Sequence, residues 1–532
     1  LRKLFLLLVC VFSLAGCGGG GGGETATYCG DIKYGIALPD SGDSSVNFWA
    51  SDFRECAPGF PNNIYSLKAD RVDDGKGIHC HIYLERGAHV DNAHIANLID
   101  LFDNKIYPKV RAAYGDEPNP GIDNDSKVYI LLLDIKDDWN GTTIPGYVAG
   151  YFHVLNQLPY EPKIPFNYSN EKEILYVDIH PGTTNPLSSD FTNLSHTMAH
   201  EFQHMIHWNN APTPPPSGDD LFCGAGSNTW LNEAMSEVAP FYAFGDIGWS
   251  RVADFESGTN HSNSLTHWGP NNNGNATLAD YDVVYMWGQY MADRFDQPSI
   301  DNYVFRNILG LDRCRGRGKA SVEKYLSKNS TDFASVFRDW SLAVFFGDNN
   351  AGNPVSTNNP AWKYNTINTW PGLFNDYGNL SIRGLRPLNP WSLGYYWKNT
   401  PVPGSLVWGG SAGLHASFYN RNSMGIITFE LDMLPGYPYA YDNFAYLILQ
   451  NAQDSSVSST GQSVSPVYFQ AFSTQPTAFP TPAEKLRAFS QSTETMSAMS
   501  RGGAVKPPVP VCIHDILSWQ TEEMMRKSID TH

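Results

Sequence analysis

Residues His196 to Trp208 place four histidines and a glutamate within thirteen residues: His-Thr-Met-Ala-His-Glu-Phe-Gln-His-Met-Ile-His-Trp. The core of this segment is His200-Glu201-x-x-His204. Two histidines four residues apart on a helix point the same way, so both can reach one zinc ion while Glu201 stands beside the open coordination position. The chemistry such a set can perform is metal-assisted hydrolysis: zinc brings the pKa of a coordinated water towards about 7, and a carboxylate within reach takes its proton. At about 100° per residue, His196, His200, His204 and His207 share one stripe, with Leu194, Met198, Phe202 and Met205 opposite. One face therefore packs on a core and the other lines a cleft. The spacing predicts a helix of about five turns, capped by Ser189 or Asp190 and stopped by Asn209-Asn210 ahead of Pro212.

A second helix must complete the site. Residues 211–229, rich in Pro, Gly and Asp, read as a loop; Trp230-Leu231-Asn232-Glu233-Ala234-Met235-Ser236-Glu237 then opens a helix that Pro240 is expected to disturb. Glu233 and Glu237 share a face, with Leu231, Met235 and Val238 on the other. Glu233 is a natural third zinc ligand, and Glu237, one turn on, is placed to accept a hydrogen bond from a ligand histidine and fix its tautomer. Twenty-eight residues separate His204 from Glu233, more than in the thermolysin-like zinc peptidases that this pair of motifs resembles, and that departure leaves room for Glu237 or a histidine as the actual ligand. Charge that builds on a carbonyl oxygen also needs a donor. Tyr281 and Tyr285 open a helical segment, Tyr281 to Phe295, that can bring a phenol to the cleft, and either residue can equally belong to the core. His196 and His207 lie one to two turns from the ligands and suit structural or substrate-contact roles better than zinc binding.

The rest of the chain has to hold and deliver these helices. At 532 residues it is too long for one core, so two or three domains are expected. A net charge of −18 and a pI near 5.2 argue against nucleic acid as a partner. Abundant aromatic residues together with 47 Gly and 35 Pro suggest a loop-rich extracytoplasmic protein with β structure. Arg2-Lys3, the apolar run Leu4 to Leu14 and Leu14-Ala15-Gly16-Cys17 resemble a bacterial lipoprotein leader. By that resemblance Cys17 carries lipid and anchors the chain to a membrane, with Gly18 to Gly23 as a tether, and the protein resides in the cell envelope or is secreted. Of eight cysteines, Cys10 belongs to the leader and Cys17 to the anchor; the other six, Cys29, Cys56, Cys80, Cys223, Cys314 and Cys512, predict at least two disulfides, with a local pair available among Cys29, Cys56 and Cys80.

Further patterns fill in the scaffold. Ile78 to Leu84 reads as a strand in which His79 and His81 face one way and Cys80 the other, so the three cannot grip one ion. Residues 91–114 read as an amphipathic helix; Lys127 to Ile135, Gly146 to His153 and Glu173 to Ile179 read as strands. Val148 to Phe152 is the candidate cleft edge, since a peptide substrate is commonly held as an added strand. Asp123-Asn124-Asp125 lacks the full pattern of a calcium loop and reads as a solvated turn. Residues 296–345 continue as helices. From about Trp370, short alternating strands such as Gly425 to Leu431 and Ala445 to Leu449 suggest a β-sandwich. There Gly409-Gly410-Ser411-Ala412-Gly413, with His415 nearby, matches a serine hydrolase elbow, but in this β setting it reads as a tight turn. Residues 451–510, rich in Ser, Thr, Gln and Pro, are partly linker, and Cys512 with the following residues can pack back on the body.

Ala199-His200-Glu201-Phe202-Gln203-His204 with Trp230-Leu231-Asn232-Glu233 resembles the hyicolysin-like branch of the zinc metallopeptidases whose third ligand is a downstream glutamate, as in thermolysin. The similarity extends from about Ile95 to Phe345. It implies zinc on His200, His204 and Glu233, Glu201 as general base, Glu237 supporting a ligand, and a peptide or protein substrate. The expected fold is α+β, a zincin-like catalytic domain followed by an all-β sandwich. The expected divisions are a leader (1–16), lipidated cysteine and tether (17–23), an N-terminal α+β part of the peptidase domain (24–190), its helical part with the zinc site (191–369), a β-sandwich (370–482), and linker with tail (483–532). A second reading is a lipid-anchored adhesin that binds protein or glycan and retains the zincin fold; a structural zinc site, however, would have no need of Glu201. Hydrolysis of non-peptide amides is a third.

Overall fold

A computed structural model describes residues 45–54, 64–137, 146–157, 168–182, 192–210, 225–257, 263–268, 278–311, 318–347, 359–367 and 390–397, a few single positions, and strands within 405–464 and at 509–512. The leader, Cys17, the glycine tether, Ser189 and Asp190 lie outside these residues. The fold is mixed α+β. In chain order it begins with β1 (Ser45–Ser51), β2 (Ile64–Arg71), β3 (Cys80–Glu85), α1 (Asn92–Leu101), α2 (Tyr107–Tyr114), β4 (Val128–Leu133), β5 (Gly146–Phe152) and β6 (Ile174–Asp178). It continues with α3 (Thr192–Asn209), α4 (Ala225–Phe244), α5 (Trp249–Ser257), α6 (Leu278–Phe295), α7 (Val304–Leu311), α8 (Lys319–Lys328) and α9 (Phe333–Phe346).

One mixed sheet, in the order β1-β2-β3-β4-β6-β5, backs the site. Strand β4 shows why its sequence is an unbroken apolar run. Val128, Ile130 and Leu132 enter the core shared with the helices, while Tyr129, Leu131 and Leu133 enter a second core on the opposite face. A strand buried on both sides has no polar face to present. Parallel pairing of β3, β4 and β6 gives way to antiparallel pairing of β5 on β6. The predicted helix over 91–114 forms, with a wider turn at Phe102–Ile106 between α1 and α2. Its Phe102 and Tyr107 rings lie 5.4 and 5.7 Å from that of Phe202 and so seat α3 on the sheet.

Three expectations need correction. First, Cys80 is a buried free thiol, so it is not half of a local disulfide. Its side chain lies in the helix-facing core, where the strand's alternation aims it. Cys29, Cys56, Cys223 and Cys314 lie outside the described residues, and among the described residues there is no disulfide. Second, the strand begins at Cys80, so His79 escapes its alternation: His79 stacks on Tyr107 at 3.8 Å, while His81 reaches Asp125 at 2.9 Å on the other face. Third, helix α4 starts at Ala225, within the expected loop, and runs through Pro240 without a break. Proline there leaves the Ser236 carbonyl without its usual partner. Burial of Val238, Ala239 and Ala243, and the Tyr114 hydroxyl donating to the neighbouring Met235 carbonyl at 2.6 Å, hold the helix in register.

The acidic turn is satisfied by protein groups. Asp123 meets Lys172 at 3.3 Å, and Asp125 accepts from the Lys127 amide as well as facing His81. Beyond α9 the chain forms β7 (Ser392–Trp397), β8 (Ser405–Gly409), β9 (Leu414–Asn420), β10 (Gly425–Glu430), β11 (Pro438–Tyr439), β12 (Phe444–Asn451) and β13 (Thr460–Val464). These make two antiparallel sheets, β10-β9-β12-β7 and β11-β8-β13. The first is tied to α9, where the Tyr395 hydroxyl donates to the Ser341 carbonyl and the Gln450 amide to the Ser341 hydroxyl. Gly409 ends a strand and Leu414 begins another, so the Gly-Gly-Ser-Ala-Gly segment lacks the following helix that a nucleophile elbow requires.

The end of β6 carries a pH-sensitive group. Burial pushes the Asp178 carboxyl up to about 9 from its ordinary 3.8, against the opposing pull of the Ile135 and His180 amides. Between those values the folded state holds a proton that the unfolded chain has released. The contribution of this group to stability is therefore complete below about pH 4 and is lost as pH rises towards 9. Asp178→Asn is expected to flatten the stability profile across that window. Urea melts at about pH 5 and pH 9 test this; an unchanged difference between the two would remove Asp178 as its source.

Candidate metal centre

Helix α3 presents its two faces as the sequence predicts. Leu194, Met198, Ala199, Phe202, Met205 and Ile206 are buried in the helix-facing core, leaving the histidine stripe directed at α4. Helix α4 meets α3 through Asn232, Glu233 and Glu237, which face the histidine stripe, and meets α6 by a close backbone approach. At Gly288 of α6 a Cβ would stand 2.6 Å from the Ala234 carbonyl oxygen, so glycine is what allows α6 to press on the turn carrying Glu233. Trp230 and Trp287 meet edge to face beside this contact, at 5.2 Å.

The result is a convergence of three donor groups. The Nε2 atoms of His200 and His204 lie 3.1 Å apart. The Glu233 carboxylate reaches both, at 3.3 Å from His200 Nε2 and 3.5 Å from His204 Nε2. Among the described residues this is the one group of His, Cys, Asp and Glu gathered closely enough to hold a metal ion. Ligands of tetrahedral zinc at ~2.0–2.1 Å stand roughly 3.3 Å from one another, so these separations fit that ion. All three residues are buried, as is Glu201 on the same helix. Burying several carboxylates together is costly unless cations accompany them, and a dication fits that requirement.

Around the three donors lies a set of supports. The Oε1 atom of Glu237 is 3.5 Å from His200 Nδ1, on the side of the ring away from Glu233. Its carboxylate is clamped by Arg251 of α5, with Nε donating at 2.8 Å and Nη2 at 3.2 Å. Arg251 also faces Asp282 at 3.6 Å. Burial works against the Arg251 charge, but Glu237 and Asp282 outweigh it and hold the guanidinium protonated. Arg251 carries no signal in the sequence, since a basic residue on a short amphipathic helix is ordinarily solvated. Its burial depends on where α5 packs.

The remaining expected residues have definite places. His207 Nδ1 meets Asn232 Oδ1 at 2.5 Å, and His196 Nε2 meets Asp246 Oδ2 at 2.9 Å, so both histidines tie α3 to the α4 region. Tyr281 is buried beneath the Arg251 guanidinium, 4.8 Å from its ring, and so joins the site at one remove. The Tyr285 hydroxyl accepts from the Gly248 amide at 2.7 Å.

Over 222 residues the chain is 31% identical to the neutral metalloprotease ShpI of Staphylococcus hyicus. The chain resembles the hyicolysin-like metallopeptidases. The match takes in 40% of this chain and 44% of the relative, so it spans less than half the length of that curated protein. No family model matches. The hyicolysin-like resemblance and the His200-His204-Glu233 geometry point to the same class of metal site.

Strand β5 comes close to α3 at Gly150, on the sheet side of Glu201. A Cβ on Gly150 would fall 2.4 Å from Thr197 Cγ2, 2.6 Å from the Tyr176 carbonyl oxygen and 3.4 Å from Glu201 Cγ. Gly150→Ala is therefore expected to cost about 1–3 kcal/mol through overpacking and to lower activity by displacing α3. Thr197→Ser, which deletes the obstructing methyl, should recover part of both losses. Thermal melts and peptide-cleavage rates on the single and double variants check this; no recovery in the double variant would count against the contact.

Proposed function

We propose that this chain is a zinc-dependent endopeptidase that hydrolyses peptide bonds of extracellular proteins, with His200, His204 and Glu233 as the zinc ligands. The observation that carries this reading is the meeting of the two Nε2 atoms and the Glu233 carboxylate within 3.5 Å, next to a buried Glu201. Zinc bound there supplies polarisation of a peptide carbonyl and a water acidic enough to attack near neutral pH. The protein's own part is to manage protons and orientation. Glu201 takes the proton of the attacking water and returns it to the leaving nitrogen. Glu237 holds His200 in the tautomer that leaves Nε2 free to ligate, and Arg251 holds the Glu237 carboxylate in place. The name of the Staphylococcus hyicus relative supports the activity. The same proposal takes residues 24–369 as a zincin-like catalytic part, residues 370–482 as a β-sandwich, and Cys17 as a lipid anchor to the cell envelope.

The test is metal content with casein and mixed-peptide cleavage, measured on protein lacking residues 1–23. One zinc per chain, cleavage abolished by a chelator and restored by added zinc are expected. A chain that holds one zinc but cleaves no peptide would favour the adhesin reading or a non-peptide amide substrate.

A further inference from the structure

The large sheet is completed by a strand from the far end of the chain. Val509–Cys512 (β14) lies parallel to β5, with Val509 opposite Gly146, Pro510 opposite Tyr147, Val511 opposite Val148 and Cys512 opposite Gly150. The other edge of β5 is bonded to β6 through Gly150, Tyr151 and Phe152. Both edges of β5 are thus taken, one by the body of the sheet and one by this C-terminal strand.

The position of that strand matters for the site. Gly150, the partner of Cys512, is the β5 residue at which an added Cβ would collide with Thr197 and come to within 3.4 Å of Glu201 Cγ. The pairing slips by one residue between Val511 and Cys512, and the alternation of β5 breaks at the same place, since Val148 and Tyr151 both enter the second core. A bulge of this kind turns the strand locally beside the site. An extended peptide is captured by the unpaired amides and carbonyls of a sheet edge. On β5 those groups already have a partner from the same chain.

The partner is suited to being displaced. It is four residues long, parallel pairing is slightly weaker per residue than antiparallel, and Pro510 has no N–H to donate. Covalent connection compensates, because a tethered segment competes intramolecularly with free substrate. We propose that Val509–Cys512 is a built-in competitor of substrate: it masks the β5 edge in the intact chain, and a cut between residues 465 and 508 exposes that edge. The proposal rests on the peptidase reading above, with β5 as the strand that receives substrate.

The test uses the full chain with a recognition sequence for a site-specific protease inserted within residues 465–508. Peptide cleavage, zinc content and hydrogen exchange are measured before cutting, and again after cutting and removal of the released segment by gel filtration. Cutting is expected to raise cleavage tenfold or more and to remove protection from part of the 146–152 amides; a synthetic peptide of residues 507–514 at millimolar concentration should reverse both. In the uncut chain Val511→Pro should reproduce the gain. Equal activity before and after cutting overturns the competitor role alone. Inactivity of both forms with one zinc bound overturns the peptidase reading and the competitor role with it.

Discussion

Glu201→Gln is expected to retain one zinc per chain and to cleave peptides roughly 10²–10⁴-fold more slowly, the usual range for a positioned general base. The amide has nearly the same shape as the carboxylate but cannot take a proton from water. Shape matters because Glu201 is buried and its Cγ lies 3.4 Å from where a Cβ on Gly150 would stand. The substitution therefore removes basicity while leaving the packing of α3 on β5 intact. Zinc analysis, a thermal melt and kcat/KM on one peptide separate the possibilities. Full activity in the variant would remove Glu201 from the mechanism. Loss of zinc would instead make it part of the metal's binding set.

The second large effect distinguishes Glu233 from Glu237, which sequence spacing left as alternatives. Glu233→Ala should weaken zinc binding by more than the roughly 10–100-fold that follows from losing the partner of a ligand, and it should abolish activity. Glu237→Ala should stay within that 10–100-fold range, because its carboxylate faces His200 Nδ1 rather than the gathered Nε2 atoms. It should also destabilise the fold by about 3–5 kcal/mol, the range for breaking a buried charge pair, since Arg251 loses both of its short carboxylate contacts. Competition with a chromophoric chelator measures the first quantity and denaturant unfolding the second. If Glu237→Ala proved the more damaging to zinc binding, the assignment of the two residues would be reversed.

Local pattern was enough to place most of the scaffold. The apolar run of β4, the amphipathic stretch over residues 91–114 and the two-faced helix α3 are each dictated by periodicity within a few residues, and each forms where that periodicity puts it. The errors arose where a local rule met a tertiary one. Pro240 should break an isolated helix, yet α4 continues because its flanks are buried and Tyr114 satisfies an adjacent carbonyl. Cys80 looked available for a local disulfide, but strand alternation turned it into the core.

The site divides the same way. His200, Glu201 and His204 were legible from the sequence because four-residue spacing on one helix decides by itself that two imidazoles point together. Glu233 and Glu237 were legible as a pair on one helical face for the same reason. Which of them meets the Nε2 atoms and which meets His200 Nδ1, the burial of Arg251 and Asp282, the close approach of β5 to α3 at Gly150 and the placing of Val509–Cys512 beside β5 were not. These depend on how α4, α5, α6 and the last strand pack against α3 and the sheet. Residues distant in sequence meet there for reasons of volume, charge and edge pairing that no local spacing encodes.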